Sequence, residues 1–125
     1  MDWSTYSKLA SITDDVSYAE QEMRNAVMTR ELHYITGLVT EAGELADAYK
    51  KHVYYGKPLD EQNIKEELGD VLWYLSRYIT ERGLSFSEIM QANIRKLKAR
   101  YPEGFDTVKA LDRNIAVELE ALDNA

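Results

Sequence analysis

The stretch from Glu31 to Tyr54, ELHYITGLVTEAGELADAYKKHVY, decides the fold. Its apolar positions Leu32, Ile35, Leu38, Val39, Ala42, Leu45, Ala46, Tyr49 and Val53 recur at steps of three and four. That is the period of one helix face, so the stretch predicts a long amphipathic helix with a wide buried stripe. Gly56 ends it, and Pro58 lies just beyond, as a helix stop requires.

Downstream, Asp60 is a good N-cap with Asn63 three residues on, and predicts a helix reaching Glu81 or Arg82. Its stripe is Ile64, Leu68, Val71, Leu72, Leu75 and Ile79, and Gly83 ends it. Ser85-Phe86-Ser87-Glu88 then reads as a capping box in front of Ile89, Met90, Ile94 and Leu97, with a stop at Tyr101-Pro102. The tail from Asp106 to Leu122 carries Leu111, Ile115, Leu119 and Leu122 at helical spacing. It predicts a short amphipathic helix docked on the bundle or on a neighbouring subunit. Upstream, a first helix is expected from Trp3 to Thr13, with Trp3, Tyr6, Leu9, Ala10 and Thr13 on one face. Between these, Asp14-Asp15 either caps a helix through Glu22 and Met23 or belongs to a loop covering a site. No stretch alternates as a strand does. The expectation is an all-α protein, four main helices with short connections forming a four-helix bundle in one domain over residues 1–125.

The chain has 125 residues and no cysteine, which excludes a disulfide framework, thiolate zinc and cysteine nucleophiles. No apolar run approaches the roughly 20 residues needed to span a bilayer. The start, Met1-Asp2-Trp3-Ser4, lacks the basic and apolar stretches of a signal peptide. The expectation is a soluble, cytoplasmic protein with no membrane role. The formal charge is −7, from 22 acids against 15 bases, which disfavours binding to a nucleic-acid backbone. It would also repel a free nucleotide, so a polyanionic substrate requires a divalent cation to bridge protein and phosphate.

Two places offer to hold such a cation. Glu41-Ala42-Gly43-Glu44 and Glu67-Leu68-Gly69-Asp70 each set two acids at i and i+3, with glycine before the second. That spacing puts each pair on one helix face with Cβ atoms about 5–6 Å apart, where like charges repel unless something positive lies between them. Both pairs border an apolar stripe, so two antiparallel helices could bring all four acids together at the edge of the core. Gly43 and Gly69 would let the helices approach closely. Oxygen ligands with no cysteine suit Mg²⁺, or Mn²⁺ in its place, rather than zinc. Acids at this spacing are also common on solvated helices, and the pattern alone leaves both readings open.

Lys51 lies seven residues after Glu44, and Arg77 seven after Asp70, each returning to the side of its acid pair; Tyr74 lies one turn after Asp70. These could contact phosphate or ribose, or be ordinary surface groups. Asn93, Lys96 and Arg100 form a polar and basic stripe on the fourth helix, suited to phosphate or to solvent. His33 and His52 are isolated, and neither suggests a role. For Trp3, Tyr6, Tyr54 and Tyr55, packing is the default over base stacking.

The ordered set, Glu41-x-x-Glu44, 22 intervening residues, then Glu67-x-x-Asp70, resembles the signature of the MazG-like all-α nucleotide pyrophosphohydrolases. Lys50-Lys51-His52, Val71-Leu72-Trp73-Tyr74-Leu75 and the closing Asn93-Ile94-Arg95-Lys96-Leu97 to Arg100-Tyr101-Pro102 extend the likeness, which covers about Leu32 to Phe105. The resemblance implies a helical bundle assembled as a homo-oligomer, dimer or tetramer. It implies hydrolysis of a nucleoside or deoxynucleoside triphosphate, dCTP and dUTP among the candidates, to monophosphate and pyrophosphate. Mg²⁺ would sit on Glu41, Glu44, Glu67 and Asp70, and the role would be clearing aberrant or excess nucleotides from the pool. Lys51, Tyr74, Arg77, Asn93 and Lys96 become the candidate substrate contacts, with Asn93 and Lys96 inside the motif match. Thr40 departs from the pattern, since many relatives carry a further glutamate there, and the N-terminal 30 residues match nothing specific.

A carboxylate-bridged di-iron bundle fails on sequence, because neither His33 nor His52 follows a glutamate by three residues. A pyrophosphohydrolase acting on phosphoribosyl-ATP and a non-catalytic helical dimerisation or adaptor module are the remaining alternatives.

Overall fold

The computed structural model describes residues 2–13 and 17–123, with residue 3 placed by its backbone. Every regular element among them is helical. The helices are α1 (Trp3–Ala10), α2 (Ser17–Glu22), α3 (Ala26–Tyr55), α4 (Glu61–Glu81), α5 (Phe86–Arg100), α6 (Thr107–Leu111) and α7 (Ile115–Asp123). They divide into two compact units, Met1–Tyr78 and Ile79–Ala125.

In the first unit, Asp2 caps α1 by accepting from the Thr5 amide at 2.7 Å. The helix stops at Ala10 rather than Thr13, and Ser11–Thr13 tighten into a 3₁₀ turn whose Ser11 and Thr13 hydroxyls donate to carbonyls three residues back. The expected cap at Asp14-Asp15 lies outside the described residues. The long helix α3 begins at Ala26, not at Glu31, because Asn25 caps it: its side chain accepts from Val27 N at 3.0 Å and Met28 N at 3.4 Å. Gly56 closes α3 in the left-handed region, φ +65°, and its amide donates to the His52 carbonyl. Asp60 caps α4, accepting from Gln62 N at 2.9 Å and Asn63 N at 3.2 Å.

Close packing of α3 against α4 is made by Gly37. A Cβ built there would overlap the Tyr74 ring, whereas Gly43 and Gly69 have open space where a side chain would stand. The sequence expectation placed the close approach at the wrong glycines. Around this contact lies an aromatic group: Trp73 and Tyr74 ring centroids are 4.9 Å apart, Tyr34 and Trp73 6.3 Å, both edge to face.

The wide stripe predicted on α3 is not buried within the chain. Leu38 and Leu45 are half-buried, but Leu32, Ile35, Val39, Ala42, Ala46, Tyr49 and Val53 are exposed. On α4, Ile79 is buried and Ile64, Val71 and Leu75 half-buried, while Leu68 and Leu72 are exposed. The exposed α3 positions 32, 35, 39, 42, 46, 49 and 53 alternate steps of three and four. These steps are those of a heptad repeat.

In the second unit, Ser85 caps α5 by accepting from the Glu88 amide at 3.3 Å. The tail is not one helix: α6 ends at Leu111 and α7 starts at Ile115. Nor does its apolar face turn inward. Leu111 and Leu119 are exposed, and Glu118, 3% exposed, is the buried residue. Arg100 on α5 grips its carboxylate with two hydrogen bonds, Nε to Oε1 at 2.8 Å and Nη2 to Oε2, and Arg113 adds two more. Arg95 donates to the Ala121 and Leu122 carbonyls, closing the free end of α7. Helix α7 therefore docks on α5 through ionic and capping contacts that apolar periodicity does not report.

Candidate active site

Helix α3 supplies Glu41 and helix α4 supplies Glu67 and Asp70. One carboxylate oxygen from each lies within 4.8 Å of the others. Glu67 is buried, Glu41 half-buried and Asp70 exposed, so the trio forms a shallow acidic seat open on one side. Burial, then the charges of Glu44, Asp70 and Glu67, hold the Glu41 carboxyl above the usual carboxylate range. A cation placed among these oxygens would relieve that repulsion. The donor set is oxygen alone, which fits Mg²⁺ or Mn²⁺.

Glu67 is fixed by a neighbour one turn before it. Asn63 Nδ2 donates to Glu67 Oε1 at 2.8 Å. Sequence reading saw Asn63 only as a helix-start signal; its place four residues before a motif acid was the available clue.

Along α3, the acid trio is flanked by two cavities. Beyond it lies one of about 360 Å³, lined by Glu44, Lys51, Lys57, Asn63 and Glu67 among others. Glu44, the fourth predicted ligand, therefore stands outside the trio and on this cavity's wall. Lys51 also lines it, paired with Asp47 at 2.6 Å; this hydrogen bond holds the Asp47 carboxyl below its usual range and pushes the Lys51 ammonium up. Before the trio lies a more apolar cavity of about 420 Å³, lined by Leu32, His33, Thr36, Gly37, Thr40 and Tyr74, with Met23 and Thr29. Tyr74 lines this second cavity, and His33, to which sequence gave no role, stands beside it with ring centroids 5.8 Å apart.

Arg77, the next candidate contact on α4, lies beside Tyr34. Its guanidinium carbon lies 5.8 Å from the centroid of the Tyr34 ring, a cation–π arrangement on a buried tyrosine. Asn93 and Lys96 lie on α5 in the second unit, Asn93 exposed and Lys96 half-buried. Arg100, third of that stripe, is engaged by Glu118. Tyr6, Tyr54 and Tyr55 are exposed.

Comparison with known proteins adds a family. The model of the MazG nucleotide pyrophosphohydrolase domain matches residues 29–105, a span holding the acids, both cavities' main walls and the α5 stripe. The chain is also similar to the Gene 37 protein of Mycobacterium phage L5, 36% identical over 78 residues, which cover 58% of this chain and 68% of that one. No solved structure matches the chain.

Proposed function

The chain belongs to the MazG nucleotide pyrophosphohydrolase family, and from that premise we propose that it hydrolyses a nucleoside or deoxynucleoside triphosphate to the monophosphate and pyrophosphate with Mg²⁺ bound by its helical acids. One observation carries this reading: acids from two separate helices converge so that three carboxylates lie within 4.8 Å of one another. Glu41, Glu67 and Asp70 would hold the ion, with Glu44 at its edge. Bound there, Mg²⁺ supplies neutralisation of phosphate charge and a more acidic water. The chain's own residues position: Asn63 orients Glu67, and Tyr74 with His33 offers an aromatic wall for base or sugar. Lys51 lines the cavity that Glu44 and Glu67 also line and is the candidate phosphate contact on α3, and Asn93 and Lys96 stay as candidate contacts through the family motif. A water oxygen bonds to the α-phosphorus, and the bond from that phosphorus to the α–β bridging oxygen breaks, its electron pair staying on that oxygen. The water's proton passes to solvent and pyrophosphate leaves; catalysis is mostly placement and charge neutralisation.

We further propose that the active protein is a homo-oligomer. The exposed heptad seam on α3, continued by Leu68 and Leu72 on α4, supports a second copy of the chain as its cover.

The test is pyrophosphate release from a panel of ordinary and modified NTPs and dNTPs, dCTP and dUTP included, with and without Mg²⁺. Metal-dependent release matched by monophosphate is the expected result. No release from any member, with phosphoribosyl-ATP included in the panel, would overturn the reading and leave the adaptor alternative.

A further inference from the structure

Resting on that reading, we propose that the cavity beyond the acid trio is the seat of the departing pyrophosphate, with Lys57 and Lys51 as its phosphate ligands. This assigns a direction to the substrate: base toward Tyr74 and His33, terminal phosphates toward the α3–α4 turn.

Order along α3 is the first argument. Thr36, Gly37 and Thr40 line the apolar cavity immediately before Glu41, and Glu44, Asp47 and Lys51 line the polar one immediately after it. Lys51 is two turns beyond Glu44, about 10 Å along the helix axis. A nucleotide with its reacting phosphorus at the acids can extend its base into only one of these spaces and its phosphates into the other. An apolar, aromatic-walled cavity suits a base. The polar cavity holds both lysines.

Placement of Lys57 is the second argument. Its backbone is held at two points: its amide donates to the Lys51 carbonyl at 3.2 Å, and its own carbonyl accepts from His52 Nδ1 at 2.8 Å. Gly56 at φ +65° before it and Pro58 after it fix the chain direction. Its side chain is exposed on the cavity wall, where its charge, with those of Lys51 and Lys50, helps hold the Asp47 carboxyl below its usual range. Lys57 is thus a positioned cation on a cavity wall. Lys51 is already paired with Asp47 and can share its remaining ammonium hydrogens.

The charges set a condition. Glu44, Asp47, Asp60 and Glu67 outnumber Lys51 and Lys57 around the cavity. Pyrophosphate alone is therefore repelled, and its binding requires Mg²⁺ at the acids.

The probe is pyrophosphate itself, titrated calorimetrically into the full-length protein with and without Mg²⁺, beside a nucleoside monophosphate. Binding of pyrophosphate is expected only with Mg²⁺. Lys57→Ala should weaken it about tenfold, the loss of one charge-assisted hydrogen bond, and Lys51→Ala/Lys57→Ala further. Monophosphate affinity should stay unchanged within error in both. Lys50→Ala removes the same charge outside the cavity and should change neither. Loss of both affinities together, an equal effect from Lys50→Ala, no effect of either lysine, or no magnesium-dependent pyrophosphate binding by the unaltered chain would each overturn the assignment. Turnover is scored separately. Hydrolysis of NTP without lysine-dependent pyrophosphate binding sinks the seat and keeps the function; lysine-dependent binding without hydrolysis of any NTP does the reverse.

Discussion

The Tyr74 ring occupies the space that a Cβ on residue 37 would need, so Gly37 is what allows α4 to set a phenol against the backbone of α3. The contact lies one helical turn before Glu41, on the wall of the apolar cavity. Gly37→Ala is expected to destabilise by about 1–3 kcal/mol, the usual cost of overpacking. Thermal melts should show the loss, and Gly37→Ala/Tyr74→Ala should recover part of it because the two changes couple. Additive effects would mean that the clash relaxes elsewhere.

Removing one motif acid should cost metal binding more than folding. Asp70→Ala, and Glu67→Gln beside it, should leave helical circular dichroism intact and abolish the rise in melting temperature that Mg²⁺ gives the unaltered chain. Turnover should fall about a hundredfold or more, since metal stabilisation of several kcal/mol corresponds to a factor of ten per 1.36 kcal/mol. Glu44→Ala, outside the trio, tests whether the fourth acid is required as the motif implies. A variant retaining near-normal activity would remove its acid from the site.

Asn63→Ala takes away the hydrogen bond that fixes Glu67. Mg²⁺ affinity is expected to drop about 10- to 100-fold, as for other groups that orient a metal ligand. Glutamine, long enough to reach the same oxygen, should restore part of it. Unchanged affinity in Asn63→Ala would leave the residue as a helix-start residue only.

The seam on α3 is testable by charge. Val39 is 67% exposed within the chain, so Val39→Glu should not disturb a folded single copy. In an assembly it would bury a carboxylate without a partner. Light scattering should find a multiple of 14.4 kDa for the unaltered chain and 14.4 kDa for the variant. A monomer in both cases would refute the oligomer.

Hydrogen bonds from Arg100, then from Arg113, pull the Glu118 carboxyl down to about 2 from an ordinary 4.5. A depressed acid stabilises the folded form fully above its unfolded value and ceases to do so as pH falls through its folded value. Hydrogen-exchange protection of α7 should therefore hold at neutral pH and decay between pH 4.5 and about 2. Glu118→Gln should remove that acid step. An unchanged profile would show that α7 docks by other means.

The α4 and α5 boundaries were legible because Asp60, Gly83, Ser85 and Pro102 act locally, through caps and stops. The α3 start was missed although Met28 carries the Leu32 and Ile35 period back by one turn toward the Asn25 cap, because one apolar turn among polar neighbours is a weak signal. The tail failed for a different reason. Periodicity reports only apolar burial, and Glu118 is held by Arg113, five residues before it, and by Arg100, 18 residues before it on another helix. The acids of the trio were visible as spacing. Asn63 as the partner of Glu67 was available from their spacing on one helix, whereas Gly37 as the contact glycine was not, since it needs the register of α3 against α4.

That register rests on one short connection. The acids come from two helices joined by residues 56–60, and this turn keeps Glu41 at a high effective concentration relative to Glu67 and Asp70. A chain cut within it would leave two fragments that each carry half of a cation seat. Reassembly of those halves would then be bimolecular, and metal affinity would scale with fragment concentration as well as with the ion. The same turn would serve as the split point for a complementation reporter whose signal depends on a divalent cation.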